Sequence, residues 1–254
     1  MKVIGIGGQL ACGKDTLADY LANRLNTLLI REPYIPWKRI GFAHAVKKVF
    51  MDSFNVSWDF IEEWKRKDEA PPGFDKNIRK SLQFIGDGFR QIRSNIWIET
   101  AFRENVPKII SDVRYLNEAR AIRAHGGLTV LVWRPGYENN DPNPSESQIK
   151  PTVDWFAESG YDGDVRGKDL PGETLIASPH VARGGEPCPA GYTGRLHPNT
   201  EGPNDHWEGD RLYKGVMDPS LFDFFIRNEG NLDQLYEKVD RLLIPAIEDY
   251  YASE

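Results

Sequence analysis

A glycine-rich segment close to the N-terminus places a strand, a tight turn and a helix in a fixed order. It has the sequence GQLACGKDT at residues 8–16, after an apolar run at residues 3–6 and before an amphipathic run at residues 17–25. The spacing G-x-x-x-x-G-K, which ends in Gly13 and Lys14, is that of the phosphate-binding P-loop. In such a loop, backbone N–H groups and the positive end of the following helix bind phosphate oxygens. The segment therefore predicts a nucleotide-phosphate site in an α/β fold.

The side chains of this loop carry the first predicted roles. The residues predicted to bind the nucleotide are Gly8, Cys12, Gly13, Lys14, Asp15 and Thr16. Lys14 should reach the β- and γ-phosphates and serve catalysis. The Ser or Thr that usually follows the lysine is replaced by Asp15, and a carboxylate can bind Mg²⁺ directly or through water. The alternative is that Asp15 only favours the first turn of the helix.

Composition narrows the classes of function. With 254 residues, 40% of them hydrophobic, the chain can build one core or a core with a sizeable insertion. A net charge of −6 argues against binding of duplex nucleic acid by bulk electrostatics. No apolar run approaches the roughly 18 residues of a membrane span, and no secretory signal follows Met1. We therefore expect no nucleic-acid partner and no membrane association.

The cysteines indicate a reducing compartment. Of the two, Cys12 lies in the glycine-rich loop and Cys188 lies far along the chain, so a structural disulfide is not expected and a cytoplasmic location fits. Cys188 and the three histidines of the same region have spacings that fit no standard zinc pattern. These histidines are His180, His197 and His206.

The hydrophobic pattern predicts alternating strands and helices. Strands are expected at residues 39–43, 108–113, 128–133 and 221–227, and helices at 44–51, 56–67, 77–92, 96–102, 115–125 and 232–250. This alternation favours a three-layer α/β fold with a central parallel sheet flanked by helices. From residue 137 to about 219, helical periodicity fades and Gly, Pro and Asn become dense. We predict a kinase-like core at 1–149 and 221–254, with a helical region at about 44–105 and a loop-rich insertion at 150–220.

Several segments, in order, resemble the deoxynucleoside monophosphate kinase family, which is best known from large DNA phages. They are GKDT at 13–16, FAHAVKKVF at 42–50, RKSLQFIGDGFR at 79–90, SDVRYLNEARAIRAHGG at 111–127, VWRPG at 132–136 and IRNEGNLDQLYEKV at 226–239. The resemblance implies a P-loop NMP-kinase fold that transfers the γ-phosphate of ATP to a dNMP with Mg²⁺. The chain departs from the family pattern at His44 and at Gly86-Asp87, so no base preference is taken over from any relative.

The resemblance also assigns residues to the acceptor. Arg79 and Arg114 match positions that bind the monophosphate, and Trp97 matches one that stacks on the base. The substrate-binding set it implies is Lys47, Arg79, Gln83, Gly86, Asp87, Arg90, Trp97 and Arg114. Arg93 is a further cationic candidate, since an arginine fork can bind a phosphate at two oxygens. The structural alternatives are a solvated helix face for each arginine and a core position for the tryptophan.

Asp112 ends a predicted strand at the sheet edge where α/β proteins bind ligands. It could hold Mg²⁺, which would make Asp15 and Asp112 the metal residues, or it could orient Arg114 for catalysis. The alternative is a turn or N-cap aspartate before the helix at Tyr115.

Two other functions stay open at this point. One is a small-molecule kinase with the same variant loop, such as a phosphomevalonate-kinase-like enzyme. The other is a P-loop protein that binds a nucleotide as a switch without transferring phosphate. The arginine-rich helix at Arg79 and the tryptophan at Trp97 favour a nucleotide acceptor. A homodimer is compatible with any of the three.

Overall fold

The chain contains two compact units. The structure is a computed structural model that describes residues 2–28, 35–137, 148–160, 162–165 and 221–252. Met1–Arg39 and Asn105–Glu254 form one unit, here called the core unit, and Ile40–Glu104 form the other, called the helical unit. The helical unit has nearly the extent of the predicted helical region at about 44–105. Residues 166–220, most of the predicted insertion, lie outside the described residues, as do His180, Cys188, His197 and His206.

Six strands in the described part of the chain form one sheet, ordered β2, β3, β1, β4, β6, β5. They are β1 (Val3–Gly8), β2 (Lys38–Ile40), β3 (Lys108–Val113), β4 (Leu128–Trp133), β5 (Gly163–Asp164) and β6 (Phe224–Arg227). The neighbours β3, β1, β4 and β6 are parallel, whereas β5 is antiparallel to β6. The strand that leads into the glycine-rich loop is therefore central, and the carboxyl ends of its parallel neighbours lie at the same edge of the sheet.

Helices cover both faces of the sheet. The α-helices are α1 (Lys14–Leu28), α2 (Phe42–Phe54), α3 (Trp58–Trp64), α4 (Ile78–Ile92), α5 (Ile96–Ala101), α6 (Leu116–Ala124), α7 (Lys150–Ser159), α8 (Leu232–Lys238) and α9 (Ile244–Ala252). Ile4 and Ile6 of β1 belong to the same buried cluster as Leu17 of α1. Gly5 faces the other side, where a Cβ would lie 2.3 Å from Cδ1 of Ile122 in α6. This arrangement confirms the predicted α/β fold.

The helical unit has a small core of its own. Phe50 of α2, Ile61 of α3 and Ile78 of α4 are fully buried together. The sequence predicts a strand at 39–43, but the strand ends at Ile40, and Gly41 is the extended N-cap of α2. The predicted helix at 56–67 is shorter and ends at Trp64. It starts two residues late, at Trp58, because the Ser57 hydroxyl accepts a hydrogen bond from the N–H of Phe60 (3.1 Å) and caps α3.

The prediction that residues 137 to about 219 contain no strong element is wrong at α7. This helix has Pro151 in its first turn and ends at Gly160, which has a φ of 75°. Its Val153 and Phe156 are completely buried, and the Phe156 ring stacks on that of Phe225 in β6 at 4.7 Å between centroids. Residues 150–159 therefore belong to the core unit, although polar and turn-forming neighbours dominate the composition around them.

The C-terminal helix is continuous but not uniform. A π-helical segment, Val239–Leu243, separates α8 from α9, and Pro245 lies two residues after its end. Proline has no N–H and clashes with the carbonyl four residues earlier, so a widened turn accommodates it. The spacing of Leu232, Leu235, Val239 and Leu242 predicts a buried stripe on this helix, but Leu232 is 57% exposed in the first turn of α8. Asp240 binds the hydroxyl of Tyr20 (2.8 Å), which ties this segment to α1.

Among the described residues, no helix combines the length and the apolar character needed to cross a membrane.

Candidate functional site

The glycine-rich loop joins β1 to α1 in a conformation that its glycines permit. Gly8 and Gly13 have φ angles of 146° and 97°, values that L side chains rarely adopt. A Cβ on Gly8 would lie 2.4 Å from the carbonyl oxygen of Val132, and one on Gly13 would lie 2.4 Å from Nδ2 of Asn228. Both glycines are therefore required by backbone angle and by close packing, which is why the sequence pattern located this loop.

The loop delivers the start of α1 to the carboxyl-end edge of the sheet. The first helical hydrogen bond runs from the N–H of Leu17 to the carbonyl of Gly13 (2.9 Å). The N–H groups that precede it belong to the first turn, where an α-helix has no internal partners for its donors. Together with the positive end of the helix dipole, these donors favour an anion.

Two cations converge at this helix end. The Lys14 side chain is only 4% exposed. Burial lowers its pKa, and Arg114 lowers it further by repulsion, against the opposing charges of Asp15 and Asp112. Burial likewise lowers the pKa of Arg114, while Asp112 acts to raise it. Like charges placed together in a poorly solvated position are stabilised when an anion binds between them.

The structure thus brings Lys14, Asp15, Asp112 and Arg114 into one electrostatic neighbourhood. Cys12 belongs there too, and its thiol is nearly inaccessible. Burial raises the pKa of this thiol, although Lys14 and Arg114 act to lower it. Cys12 is therefore a buried neutral group within the loop, whereas Lys14 and Arg114 carry the positive charge.

The segment after β3 is fixed by a reciprocal cap. The buried Glu118 carboxylate accepts hydrogen bonds from the N–H groups of Arg114 (2.8 Å) and Tyr115 (3.1 Å). Tyr115, not Asp112, is the N-cap residue of α6, so the alternative role proposed for Asp112 as an N-cap is wrong. The cap holds the Arg114 backbone at the end of β3, beside the loop.

Arg39 is a site residue that the sequence reasoning missed. Its guanidinium binds both carboxylate oxygens of Asp19 (2.6 and 2.7 Å) and also binds Oδ1 of Asp15. The hydroxyl of Ser111 lies 3.4 Å from both Arg39 Nε and Asp15 Oδ1. The only sequence signal was a pair of aspartates one helical turn apart, at 15 and 19, near a lone arginine on an edge strand.

Asn228 is a second missed residue, at the carboxyl end of β6. Its side-chain Nδ2 donates to the carbonyl of Cys12 (2.9 Å), and its backbone N–H donates to the carbonyl of Trp133 (2.7 Å). Asn228 therefore connects the end of β4 to the glycine-rich loop. Its side-chain amide occupies the space that a Cβ on Gly13 would need. A polar residue directly after a buried strand that lies next to β4 was the available signal.

Replacing Asn228 with alanine should destabilise the protein and loosen the loop. The Cys12 carbonyl would lose its donor, and an unsatisfied buried polar group costs about 1–3 kcal/mol. Urea unfolding should report that loss, and calorimetry should report weaker binding of ATP.

Asn26→Ala is the matched control for the Asn228 variant. The Asn26 side chain also bridges backbone groups, donating to the Trp37 carbonyl (3.1 Å) and accepting from the Trp37 N–H (2.7 Å), far along α1 from the loop. This control should lose stability while ATP affinity is unchanged. Equal losses of ATP affinity in both variants would show that Asn228 acts only through general stability.

The acceptor residues predicted on α4 lie along one stripe of that helix. Arg79, Gln83, Gly86 and Arg90 are spaced by four, three and four residues, which places them on the same face. Within the described part of the chain, Arg79 makes no hydrogen bond or ion pair. The guanidinium of Arg90 lies 3.3 Å from Asp87 and passes over Gly86, where a Cβ would lie 3.2 Å from it. The stripe presents two guanidinium groups around a position without a side chain.

Another predicted acceptor residue, Lys47, is engaged within the helical unit. The Lys47 ammonium pairs with Glu62 (2.7 Å) and lies 4.4 Å from the centre of the Trp58 ring. Burial alone would raise the pKa of Glu62, but hydrogen bonds from Lys47 and Lys65 outweigh it and lower that pKa. Lys47 could contact a substrate only by exchanging this partner.

Trp97 and Arg93 differ from the phosphate- and base-binding roles suggested for them. The Trp97 ring is 4% exposed, its Nε1–H donates to the carbonyl of Gly86 (3.0 Å), and it packs near Phe89 at 5.4 Å between ring centres. These contacts favour the core alternative for Trp97, which positions Gly86 on α4. The exposed Arg93 pairs with Glu99 (2.9 Å), which matches a solvated helix face.

The side chains near the loop show whether protein groups can bind the implied magnesium ion directly. Mg²⁺ prefers oxygen ligands and keeps several waters. The described residues contain no group of three or more His, Cys, Asp or Glu side chains that could hold a metal. The Asp15 carboxylate is bound by Arg39 and lies 3.6 Å from the Lys14 ammonium, so it is not placed as a direct ligand. The residues fit an ion that arrives with polyphosphate oxygens and water, and not one held by protein groups alone.

Comparison with known proteins gives one strong relative. The chain is 30% identical over 170 residues to a protein of Acanthamoeba polyphaga mimivirus named "Putative deoxynucleotide monophosphate kinase", covering 59% of this chain and 83% of the relative. It is 24% identical over 156 residues to "Uncharacterized protein ORF76" of Ictalurid herpesvirus 1, covering 56% of this chain and 54% of that protein. No protein-family model matches. A sugar kinase structure from Janibacter sp. HTCC2649 aligns over 97% of this chain and 98% of its own, but at 13% identity and a TM-score of 0.32 it supports no argument.

Proposed function

Since the chain belongs to the deoxynucleotide monophosphate kinase family, we propose that it transfers the γ-phosphate of ATP to a deoxynucleoside monophosphate and releases the dNDP and ADP. The observation that carries this proposal is the convergence of Lys14 and Arg114 at the start of α1. Burying two cations together is unfavourable unless an anion neutralises them. A polyphosphate bound to the N–H groups of the loop supplies that anion.

The residues divide by task. Phosphoryl transfer needs positioning and neutralisation of charge more than covalent chemistry. The loop N–H groups and Lys14 would bind the β- and γ-phosphates, and Arg114 would bind the acceptor monophosphate beside them. Asp112 would orient Arg114 and Lys14 through its charge. Magnesium enters as part of the MgATP substrate, and it adds positive charge to the phosphates.

On the acceptor side, Arg79 would bind the monophosphate from α4. It has no partner to give up among the described residues. Arg90, held by Asp87, would add a second positive charge. Lys47 and Gln83 complete the proposed acceptor set.

A coupled ADP-release assay with a panel of dNMPs and phosphomevalonate tests the proposal. Turnover with at least one dNMP, and none with phosphomevalonate, is the expected result. Turnover with phosphomevalonate alone would instead identify the other kinase class. ATP binding without turnover of any acceptor would identify a nucleotide switch.

Asp15→Asn should raise the Mg²⁺ concentration that gives the half-maximal rate by several-fold. The carboxylate, held away from direct ligation, would contact the water shell of the ion, and the substitution keeps its shape while removing its charge. A magnesium titration of the initial rate measures this. Thr16 keeps its hydroxyl for the phosphates in this variant.

The alternative role of Asp15 predicts a different result. If Asp15 serves only the helix end, its contribution is about 0.3–1 kcal/mol of stability. The melting temperature would then fall slightly while the magnesium requirement stays at the wild-type value.

A further inference from the structure

Arg39 stands between two carboxylates on the first two turns of α1. It binds both oxygens of Asp19 and one oxygen of Asp15, and Ser111 of β3 lies within 3.4 Å of its Nε. The Arg39 side chain is about one-third exposed, whereas the carboxylates are more open to solvent. The arginine is therefore the less exposed partner, bound by three groups from two elements.

The two oxygens of the Asp15 carboxylate face different cations, and one contact is shorter than the other. Its Oδ1 accepts a hydrogen bond from Arg39, whereas its Oδ2 lies 3.6 Å from the Lys14 ammonium. A separation of 3.6 Å is beyond a normal hydrogen bond, so the Lys14 donors are not committed to Asp15. Without Arg39, the nearest cation left for this carboxylate would be Lys14 itself.

We propose that Arg39 is a positioning residue that neutralises Asp15 and keeps its carboxylate off Lys14, so that a loop with an aspartate after its lysine can still bind a triphosphate. The inference rests on the proposed function only in that the loop must bind ATP. In most P-loops the residue after the lysine is Ser or Thr, which carries no charge. A negative charge at this position repels the phosphates and competes with them for the lysine. A cation fixed on its far side removes both effects.

The test is a double-mutant cycle on ATP affinity, measured by calorimetry in EDTA so that magnesium plays no part. Arg39→Gln should weaken ATP binding by about three- to tenfold, a modest loss because solvent screens partly exposed charges. The pair Arg39→Gln/Asp15→Asn should bind ATP within about twofold of Asp15→Asn alone, because no uncompensated carboxylate remains.

Two further variants separate charge from structure. Asp19→Asn breaks the two-oxygen contact of Arg39 with α1 but leaves Asp15 compensated, so ATP affinity should stay at the wild-type value. Arg39→Lys keeps the positive charge and should lose no more than about twofold, which provides a readout even if Arg39→Gln folds poorly.

Each contrary outcome is distinct. If Arg39→Gln weakens ATP binding equally with and without Asp15, Arg39 acts on the nucleotide or on the fold directly and the inference is overturned. The same holds if Asp19→Asn is as harmful as Arg39→Gln. If the wild-type protein binds ATP only with magnesium, the same cycle is measured with MgATP. If it binds no ATP under either condition, the proposed function fails, and the inference fails with it.

Discussion

Replacing Lys14 with alanine should lower kcat by about 10²-fold or more while the protein stays folded, because the loss of one preorganised charged contact commonly has an effect of that size. Lys14 is the buried ammonium at the start of α1, and the loop around it is shaped by Gly8 and Gly13. A coupled ADP-release assay with the accepted dNMP measures the loss.

The fold should survive because Lys14 does not stabilise the free protein strongly. Burial and Arg114 both lower its pKa, which means that the folded environment disfavours its charged form. Lys14→Met keeps most of the stem and removes the charge, so its melting temperature should equal or exceed that of the wild type. Its activity should nevertheless be as low as that of Lys14→Ala.

A matched control is Lys48→Ala. Lys48 is exposed on α2 and pairs with Asp52 at 3.0 Å, so its loss should leave both turnover and stability near the wild-type values. Near-wild-type turnover by Lys14→Ala would contradict the assignment of the loop as the ATP-phosphate site.

The parts of this fold that could be predicted are those set by local pattern. Residues 108–113 and 128–133 are short apolar runs with a turn on each side, and they form β3 and β4 with the predicted bounds. The first helix begins at Lys14 and buries the apolar residues of the amphipathic run at 17–25, among them Leu17, Leu21 and Leu25. Strand length and helical periodicity are encoded within about ten residues, so they are legible in one sequence.

The parts that could not be predicted depend on distant contacts. α7 is a helix because Val153 and Phe156 are buried against the sheet, and the composition of its neighbours hides that. Arg39 meets Asp15 across 24 positions, and Asn228 meets Cys12 across 216. No local pattern specifies such pairs, although the topology of a parallel sheet does bring strand ends to one edge.

The site shows the same division. The loop spacing and the end of β3 located Lys14, Asp112 and Arg114 near one another. The burial of Trp97 and the ion pairing of Lys47 could not be inferred in this way, because both depend on contacts with other residues of the fold. Trp97 turned out to be committed to Gly86, and Lys47 to Glu62. Family resemblance names positions, but burial and pairing decide which of them can still bind a ligand.

Arg79→Ala and Arg114→Ala should each raise the KM for the dNMP by about 10- to 100-fold, the range expected when a charge-assisted contact worth about 1.5–3 kcal/mol is lost. The KM for ATP should change far less. Initial rates over a matrix of ATP and dNMP concentrations separate the two constants. Arg66→Ala in the helical unit and Arg241→Ala in the core unit remove exposed arginines and should leave both constants unchanged.

The stability of the Arg79 variant provides an internal check. Among the described residues Arg79 has no partner, so its removal leaves no group unpaired and the melting temperature should hold. A rise in the KM for ATP with the dNMP constant unchanged would show that the roles are reversed and that these arginines bind the donor.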